Sequence, residues 1–583
     1  MSPSSPTLRS VPRLSIQSIF QGGKTMTHRF MPKTPLLLAA LGLAFASASA
    51  TAEPWRFGLI SDTQFTKTAD AINVNSVAVK QIQAVNQKFL EAGVKFVIQP
   101  GDLGDNSSAA ALQTRLEANA ALDAAGIPFY AVRGNHDNSS AQIAYFKANY
   151  VPASNANRTV EVMADGETYS VLTEGIKLIM LGYNNTGSTT NMPNALNWMS
   201  SQLASGDHGH AFVVSHKNLL GQNHKDNFFG SSNDANATTL QNPYFATVAA
   251  AGVRYHFSGH DHLHHRSRVV SPDGLNSIQQ FIFQSNSSKW YTPSSPYSSR
   301  ETPFRQELNK IGHYIFTVDG PRLTGQYYAT TPVSSDIADN PVWTLQETFG
   351  YSKNGSSKIV PAGGSYAMTH SIAAGSSFGE DGYVGTTMAI IDGVHSGTAK
   401  THDGRLLAKD LNIGWASQSN AQNSQVASDV LTVWGMQNAL GSEQGDTYTL
   451  SLDYKGNGGA FAIVGKGEEG SWSKAAARNF GGSAKFVVGP WKAGYALGTY
   501  GIDPATRTAW AVVNRGGEFA VSRTLDGDLN GDGTIDKLDV ALISQNLNKP
   551  ASALPEADVD NDGRITALDA RRLATICSNA NCQ

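Results

Sequence analysis

The stretch Lys95–Asn106, which reads KFVIQPGDLGDN, decides the fold, because an apolar strand runs straight into Asp102 and its neighbouring glycines. Four other segments have the same form, a strand-like run that ends in a short polar motif: Ser61–Gln64, Gly134–Asp137, Val213–His216 and Ser258–His262. Ligand sites of α/β sheets lie outside the carboxyl ends of the strands. The five motifs are therefore expected to meet in one site.

The residue types in these motifs are those that a pair of divalent metal ions needs. Such a pair, about 3.5–4 Å apart, polarises a phosphoryl group and activates a water molecule for attack. One carboxylate bridges the ions, and imidazoles, carboxylates and amide oxygens complete the two shells. Asp102 suits the bridge, and His260 and His262 direct two imidazoles inward at the period-two spacing of a strand. The glycines beside Asp102 and Asn135 allow the backbone to approach the metals closely.

Strand-like and helix-like segments alternate between residues 55 and 265, which predicts a layered α/β core. The predicted strands of this region are Trp55–Ile60, Lys95–Gln99, Phe129–Val132, Ala211–Val214 and Val253–Phe257. Ser76–Ala92 and Ala109–Ala125 are predicted to be helices, because a glycine ends each periodic run. The strands expected to close the domain are Phe281–Phe283, His313–Val318 and Leu323–Tyr328.

Together the five motifs resemble those of the calcineurin-like metallophosphoesterases, over about residues 54–330. The resemblance implies a four-layer α/β/β/α sandwich that hydrolyses phosphate mono- or diesters, with a hydroxide bridging two divalent transition metal ions (Mn, Fe or Zn). The implied ligands are Asp62, Gln64 and His262 for one metal, Asn135, His216 and His260 for the second, and Asp102 for both. His136 is expected to contact the phosphate or protonate the leaving oxygen. Asp137 is expected to orient His136, with a turn role as the alternative.

Two departures from the family pattern bear on the metals. The first motif has Gln64 where the family usually has histidine, and an amide oxygen is a harder and weaker ligand than imidazole. This change predicts weaker binding of one metal ion, or a preference of the site for manganese or magnesium. Asp105 stands where a purple acid phosphatase would have tyrosine, so a purple ferric site is not expected. A surface position or core packing is the favoured role for the other histidines nearby, which are His208, His210, His224, His256, His264, His265 and His313. The alternative for the three that flank the last motif, His256, His264 and His265, is to line the pocket or bind the phosphate.

A change of composition follows at about residue 335 and continues to residue 524. Short alternating runs such as Tyr448–Leu452 and Trp510–Val513 lie between Gly, Asn and Ser turns, which predicts a β-sandwich. Six of the nine tryptophans lie in this region: Trp343, Trp415, Trp434, Trp472, Trp491 and Trp510. Core packing is favoured over a glycan-stacking face, since aromatic side chains dominate cores.

The C-terminal residues contain a duplicated calcium-loop pattern. Carboxylates, amides and carbonyls recur at loop positions 1, 3, 5, 7 and 12, which are Asp528, Asn530, Asp532, Thr534 and Asp539, and then Asp558, Asp560, Asp562, Arg564 and Asp569. Helices are predicted for Leu538–Leu547 and Leu568–Ile576. The ten acidic and three basic residues of 526–569 would repel one another unless calcium were bound. With aspartate at position 12, the repeat resembles a dockerin module, which implies a cohesin-like protein partner.

The N-terminal residues have the form of an export signal. Arg29 and Lys33 precede an apolar run, Leu36–Ala46, and small residues follow it at Ser47–Ala52. The run is too short to span a bilayer, and a buried helix is the less favoured alternative. The chain is therefore expected to be secreted to the periplasm, cell surface or medium, with no transmembrane segment. Cys577 and Cys582, the only cysteines, are expected to form a small disulfide there.

The sequence thus predicts four segments: a leader and signal peptide (1–52), a metallophosphoesterase (53–330), a β-rich accessory domain (331–524) and a dockerin-like calcium module (525–583). The predicted function is a secreted metal-dependent phosphoesterase tethered through the calcium module. The alternative is a calcium-dependent adhesion or scaffold-binding protein with an inactive phosphoesterase core, which Gln64 and the modular tail keep open. A net charge of -3 gives no basic field for a nucleic acid partner. No motif identifies the phosphate-ester substrate.

Overall fold

The structure is a computed structural model. It describes residues 53–583 except 66–72, 205–207, 288, 295–297, 332–340, 377, 379–381, 422–424, 457–459, 525–526, 531–534, 561, 576, 578–581 and 583. The predicted leader and signal peptide therefore lie outside the described residues. Among the helices of the described residues, none combines the length and the hydropathy needed to cross a bilayer.

Two mixed sheets form the N-terminal part. The strands are β1 (Trp55–Leu59), β2 (Val94–Pro100), β3 (Phe129–Val132), β4 (Arg158–Val162), β5 (Tyr169–Thr173), β6 (Ile176–Met180), β7 (His210–Val214), β8 (Tyr255–Ser258), β9 (His264–Val270), β10 (Ser277–Ile282), β11 (Glu301–Glu307), β12 (Ile311–Asp319), β13 (Arg322–Thr330) and β14 (Thr344–Ser352). Their spatial orders are β14-β13-β12-β1-β2-β3 and β11-β9-β10-β8-β7-β6-β5-β4. The first sheet therefore continues to residue 352, past the boundary predicted at residue 330.

The core between these two sheets is aromatic. Phe57 stacks on Phe316 with ring centroids 4.8 Å apart, and Phe212 stacks on Phe257 at 4.9 Å. All four rings are fully buried. Alternation along each strand produces this face, because successive side chains of a strand point to opposite sides.

Helices cover the outer face of each sheet. They are α1 (Val79–Ala92), α2 (Ala109–Glu117), α3 (Ala120–Ala124), α4 (Ser140–Asn149), α5 (Met192–Ala204) and α6 (Asn242–Ala250), with short 3-10 turns at Val74–Ser76 and Tyr183–Asn185 and a π turn at Ala237–Gln241. Phe89 of α1 packs in a cluster with Val97, and Met199 of α5 packs in one with Val213. The four-layer α/β/β/α sandwich predicted from the motifs is confirmed.

The helix predicted over Ala109–Ala125 is in fact two helices. Asn86 of α1 donates its side-chain amide to the carbonyl oxygen of Ala118 at 3.2 Å and to Asn119 at 3.1 Å. Arg115 also donates to the Asn119 side chain, at 2.8 Å. These tertiary hydrogen bonds replace helical ones at the break, so the helix restarts at Ala120.

The second part is a β-sandwich, as predicted. Its strands are β15 (Ser356–Val360), β16 (Met368–Ser371), β17 (Thr387–Gly393), β18 (Lys409–Ala416), β19 (Val430–Trp434), β20 (Gln444–Asp453), β21 (Ala460–Lys466), β22 (Trp472–Lys474), β23 (Lys485–Val488), β24 (Thr499–Asp503), β25 (Thr508–Arg515) and β26 (Gly517–Thr524). The two sheets run β15-β18-β19-β26-β21-β22 and β16-β17-β20-β25-β24-β23. Four of the six tryptophans are buried (Trp415, Trp434, Trp472 and Trp510), which agrees with core packing.

The C-terminal part is small and helical. Helices α7 (Lys537–Gln545) and α8 (Ala567–Thr575) pack through Ile543 and Leu573, which are fully buried, and 3-10 turns lie at Ala551–Ala553 and Pro555–Ala557. Cys577 and Cys582 form the expected disulfide. Two further 3-10 turns, Gln418–Ala421 and Ala475–Arg478, belong to the sandwich.

Candidate active site at the strand ends

All five motifs lie at or just after the carboxyl end of a strand, namely β1, β2, β3, β7 and β8. Four of the predicted ligands have left-handed backbones, with φ of 44° at Asp62, 46° at Asp102, 72° at His260 and 54° at His262. A non-glycine residue adopts this conformation only at a cost of about 1–3 kcal/mol, and such strain clusters at functional sites. The surrounding packing therefore holds these four side chains in an unusual orientation.

Two glycines allow the motifs to touch. A Cβ on Gly134 would lie 1.9 Å from Asp102 Oδ1, and a Cβ on Gly101 would lie 2.5 Å from His216 Nδ1. Gly101 also has a φ of +94°. At both glycines the backbone therefore lies directly against side chains of the predicted ligand set. The approach of this backbone to the metals themselves stays a prediction.

One group of donor atoms surrounds Gln64. Its Nε2 is 2.8 Å from Asp102 Oδ2 and 3.0 Å from His262 Nε2. His262 Nε2 is in turn 3.5 Å from Asp62 Oδ1. All four side chains are buried.

A second group of donor atoms surrounds His216. Its Nε2 lies 2.8 Å from Asn135 Oδ1, 3.2 Å from His260 Nδ1 and 3.4 Å from Asp102 Oδ1. Asp102 thus directs one carboxylate oxygen to each group. That is the position of a bridging ligand.

Hydrogen bonds behind the imidazoles fix which nitrogen faces the site. His216 Nδ1 lies 2.9 Å from the carbonyl oxygen of Pro100, and His262 Nδ1 lies 2.8 Å from that of Lys289. A carbonyl only accepts, so each Nδ1 donates and each neutral ring presents a lone pair at Nε2. Outer partners of this kind orient metal-binding histidines in proteins.

Burial favours the neutral form of two histidines of the second donor group, His216 and His260, because it lowers the pKa of each. Burial raises the pKa of Asp62, but the hydrogen bond and charge of His262 outweigh it, and the pKa is about 2. Burial and the nearby Asp62 raise the pKa of Asp102. Neutral imidazoles are the form that binds a metal.

The donor atoms fit two divalent cations. The lone pair of His216 Nε2 faces another acceptor, Asn135 Oδ1, at 2.8 Å, so a cation between them relieves the repulsion. Gln64 Oε1 is buried without a hydrogen-bond partner, while Nε2 of the same amide faces Asp102 and His262. A half-turn of the amide exchanges the two atoms and would direct the oxygen, which can bind a cation, toward Asp102 and His262. Ligand atoms of Asp62, Asp102 and His216 lie within 4.8 Å of one another.

His136 lies beside the two donor groups, where its backbone N–H donates to Asp102 Oδ1 at 3.1 Å, but its side chain is paired with an unexpected residue. Its Nδ1 is 2.9 Å from Asp105 Oδ1, and Lys289 bonds to the same carboxylate. The hydrogen bond with Asp105 raises the pKa of His136. Burial raises the pKa of Asp105, but His136 and Lys289 outweigh it and lower that pKa below its ordinary value.

The prediction that Asp137 orients His136 needs correction. The Asp137 carboxylate is fully buried and accepts backbone N–H groups of Leu103 at 2.9 Å, Gly104 at 3.2 Å and Gly134 at 2.9 Å. Both of its oxygens are occupied in this way. Asp137 therefore joins the loops after β2 and β3, which is the turn role left open, and Asp105 orients His136.

His224, for which a surface position or packing is the role favoured from sequence, instead contacts a predicted ligand. Its ring stacks on His260 at 4.0 Å, and its side chain is 29% exposed in the cleft. Its Nδ1 is 2.7 Å from Asp261, the residue between the two histidines of the last motif. Asp226 also approaches the site, with Oδ1 3.7 Å from His260 Nε2. No local pattern marks either residue, because both lie in an irregular loop.

Packing is confirmed for the other histidines with buried side chains. His256 bonds to Ser215 and Tyr244, His264 to Glu347, His265 to Glu301, and His210 to Tyr351. His313 packs against Phe89, Tyr328 and Trp343. These rings are structural supports for the sheets.

The second calcium loop gathers its carboxylates. Asp558, Asp560 and Asp569 offer oxygens within 4.8 Å of one another. Asp562 and Arg564 lie in the turn between them, where Asp562 N donates to Asp558 at 3.0 Å. In the first loop, Asn530 N donates to Asp539 at 3.0 Å, and Asp528 is buried beside it, whereas Asp532 and Thr534 lie outside the described residues.

Comparison with known families agrees with both sequence resemblances. Residues 56–264 match the calcineurin-like phosphoesterase model, and residues 526–575 match the dockerin type I domain model. No curated protein matches the chain.

Solved structures give a weaker likeness. PhoD is 10% identical over 52% of this chain and 71% of its own, with a TM-score of 0.36. A purple acid phosphatase, PPD1 from yellow lupin (Lupinus luteus) seeds, is 14% identical over 52% and 54%, with a TM-score of 0.37. A dimetal phosphatase from Danio rerio is 13% identical over 47% and 95%, with a TM-score of 0.30. These scores are too low to carry a functional argument.

The chain therefore contains a calcineurin-like phosphoesterase domain and a C-terminal dockerin type I domain, with a β-rich region between them. It is a hydrolase that acts on phosphoric ester bonds. A dinuclear metal site belongs to the first domain and calcium to the second.

Proposed function

We propose that this protein is exported and hydrolyses a phosphate mono- or diester at two divalent metal ions, while its dockerin domain tethers it to a cohesin-like partner. One observation carries the proposal: the two oxygens of Asp102 face two separate groups of nitrogen and oxygen donors. We propose the four predicted segments with one change: the phosphoesterase extends to residue 352 instead of residue 330, because β14 belongs to its first sheet. The leader and signal peptide are residues 1–52.

The proposed ligands follow the two donor groups. One metal is held by Asp62, Gln64 and His262, the second by Asn135, His216 and His260, and Asp102 is shared. The metals, which we propose to be Mn, Fe or Zn, neutralise the phosphate and activate a water molecule when bound. The amide oxygen of Gln64 is a weaker ligand than the imidazole usual at this position, so we expect this site to hold its metal less tightly than a site with histidine there.

The proton for the leaving oxygen comes from His136. Asp105 holds the Nδ1 of this ring, which leaves Nε2 to donate into the cleft. The side chain is 28% exposed, so an ester oxygen can reach it. The raised pKa of His136 keeps it protonated closer to neutral pH. Asp137 acts indirectly, by holding the backbone that carries His136.

The calcium ligands that we propose for the dockerin domain are those of the two loops: Asp528, Asn530, Asp532, Thr534, Asp539, Asp558, Asp560, Asp562, Arg564 and Asp569. Ten ligands of this kind in two loops match the oxygen chemistry of calcium. A dockerin domain also supports an extracellular or cell-surface location.

The test is a metal-reconstituted hydrolysis assay on residues 53–583. The chain is stripped of metal and supplied with Mn, Fe, Zn or Mg, with p-nitrophenyl phosphate and bis-p-nitrophenyl phosphate as substrates. Asp102→Ala and His216→Ala should abolish turnover, whereas the matched controls Asp234→Ala and His208→Ala should not, because neither control residue touches a donor group. Preference between the two esters separates a monoesterase from a diesterase.

The opposite result would favour the other function. If no metal restores turnover and the chain binds no transition ions, the phosphoesterase core is inactive. The protein is then better described as a calcium-dependent adhesion or scaffold-binding protein.

A further inference from the structure

A loop of the β-rich region reaches the wall of the phosphoesterase cleft. Arg405, at the end of the turn Thr401–Arg405, donates from Nη1 to Glu301 Oε2 at 2.6 Å and from Nη2 to Gln222 Oε1 at 3.2 Å. Asp403 of the same turn accepts from Arg405 Nε at 2.7 Å. The guanidinium group is therefore held in one orientation between the two parts of the chain.

Gln222 is fixed on every side. Its Nε2 donates to both oxygens of Glu301 at 3.0 Å, and its backbone N–H donates to Asp261 at 2.6 Å. Its carbonyl oxygen accepts from Ser294 N at 2.8 Å, and the residue is 1% exposed. The position of Gln222 therefore depends on Glu301, which in turn is held by Arg405 and His265.

The contacts continue from Gln222 to the metal-binding groups. Asp261, which accepts from Gln222 N, also accepts from the backbone of His224 at 3.0 Å and lies 2.7 Å from its Nδ1. The His224 ring then stacks on His260 at 4.0 Å. Gly221–His224 is thus one wall of the cleft, and its position is set jointly by Asp261 and by Gln222.

We infer that Arg405 is a positioning residue for the active site, so that the β-rich region completes the cleft rather than only linking two domains. Without the guanidinium, Glu301 is a buried carboxylate whose remaining partners among the described residues are His265 and Gln222, and Gln222 Oε1 loses the donor that Arg405 supplies. An uncompensated buried charge is costly, and the structure relaxes to solvate it. The relaxation moves Gly221–His224, and with it the ring that supports His260. This inference rests on the proposed function, in which His260 binds a metal.

The test compares Arg405→Gln with Arg322→Gln in residues 53–583. Arg322 also joins the two parts, through Glu518 and Thr432, but it contacts none of the cleft residues named here. Hydrogen exchange is measured by mass spectrometry on peptides that cover 219–224, and kcat and KM are measured with the better p-nitrophenyl ester. The metal content of each variant is measured in parallel. We expect faster exchange at 219–224 and a roughly 10–100-fold loss of kcat/KM in Arg405→Gln alone, the size of effect that outer partners have.

A double variant tests the route. If Arg405 acts through Gln222, the two substitutions are not independent. Adding Gln222→Ala to Arg405→Gln should therefore lower kcat/KM by a much smaller factor than Gln222→Ala lowers it in the wild type. Unchanged exchange at 219–224 in Arg405→Gln overturns the inference, whatever the activity. Faster exchange at 219–224 in Arg405→Gln with a kcat/KM equal to that of the wild type also overturns the inference. Changes in exchange and kcat/KM of the same size in Arg322→Gln overturn it as well. If the wild type itself does not turn over with any metal, the proposed function fails, and the exchange measurement still decides whether Arg405 positions the loop.

Discussion

At the scale of single residues, the site is built from residues with unfavourable backbone conformations and from acceptor atoms that face each other. The backbones of Asp62, Asp102, His260 and His262 are left-handed, and His216 presents a lone pair to another acceptor. Both features cost free energy in the absence of a ligand. Bound cations would recover that cost, which is the reason to treat the arrangement as functional.

His136→Ala tests the assignment of the proton donor. For an alkyl phosphate we expect kcat to fall roughly 10²–10⁴-fold, the usual contribution of a general acid. For a p-nitrophenyl ester the loss should be much smaller, because that leaving group departs without protonation. Both rates are measured beside the metal content, which should be unchanged. Equal losses on the two esters would show that His136 does not protonate the leaving oxygen.

Gly134→Ala tests the close approach of the motifs. The new Cβ would collide with Asp102 Oδ1, 1.9 Å away, so the shared carboxylate must move. We expect the variant to lose bound transition metal. Its turnover should fall at least roughly 100-fold, since small displacements of catalytic groups change rates by this much. The control is Gly209→Ala, because a Cβ at Gly209 would lie 3.4 Å from its nearest neighbour, Gly175 O, and would not collide with it. Two metals still bound to Gly134→Ala would contradict this account.

At the scale of elements, the strand ends bring the motifs together and the loops between them are fastened by buried charges. Asp137 ties the loops after β2 and β3 through backbone N–H groups. Glu301, at the start of β11, ties the cleft wall to the β-rich region through Gln222 and Arg405. A buried carboxylate with several donors is a strong local constraint, because each donor would otherwise be left unsatisfied.

Glu301 gives a pH-dependent stability that can be measured. Burial raises its pKa, but the charges and hydrogen bonds of His265 and Arg405 outweigh burial, and the pKa in the folded protein is about 2. Since this value is below the ordinary 4.5, the carboxylate contributes stability above pH 4.5, and that contribution is lost as the pH falls towards 2. The difference corresponds to about 3 kcal/mol.

The Tm of Glu301→Gln should therefore be well below that of the wild type at pH 7, and the gap should narrow as the pH falls from 5 towards 3. Thermal unfolding of both proteins across this range is the measurement. Glu161→Gln, a change at an exposed glutamate, is the control and should show no such gap. A gap that is constant from pH 7 to pH 3 would mean that the Glu301 charge is not what stabilises the fold.

At the scale of the whole molecule, the three parts of the chain differ in how much apolar core stabilises them. The phosphoesterase and the sandwich have large apolar cores of their own. The C-terminal part has only a small core around Ile543 and Leu573, and its second loop collects Asp558, Asp560 and Asp569. Small domains with little core depend on metals or disulfides for stability.

Calcium removal should therefore unfold only the C-terminal part. After chelation, removal of the chelator and replacement of the transition metals, we expect faster hydrogen exchange at 537–545 and 567–575 and unchanged phosphoesterase activity. Calcium at 100 times its Kd should restore about 2.7 kcal/mol of stability for each loop that binds an ion. Asp569→Asn should resemble the calcium-free protein even with calcium present. Equal exchange with and without calcium would exclude calcium-dependent folding.

The sequence by itself determined the architecture and the candidate ligand set. Strand signals followed directly by Asp102, His216 and His260 are local patterns, and the α/β topology requires such strand ends to meet. The calcium loops are equally local, because all ligands of one loop lie within twelve residues of sequence. Patterns of this kind can be read without knowing which distant residues pack against them.

Only the tertiary structure decided which groups support those ligands. Asp105 rather than Asp137 pairs with His136, His224 stacks on His260, and Arg405 reaches Glu301 from the β-rich region. These contacts join residues that are 31, 36 and 104 positions apart, counted from their residue numbers. No short-range periodicity encodes them, because irregular loops and packed interfaces, rather than strand or helix patterns, place the side chains.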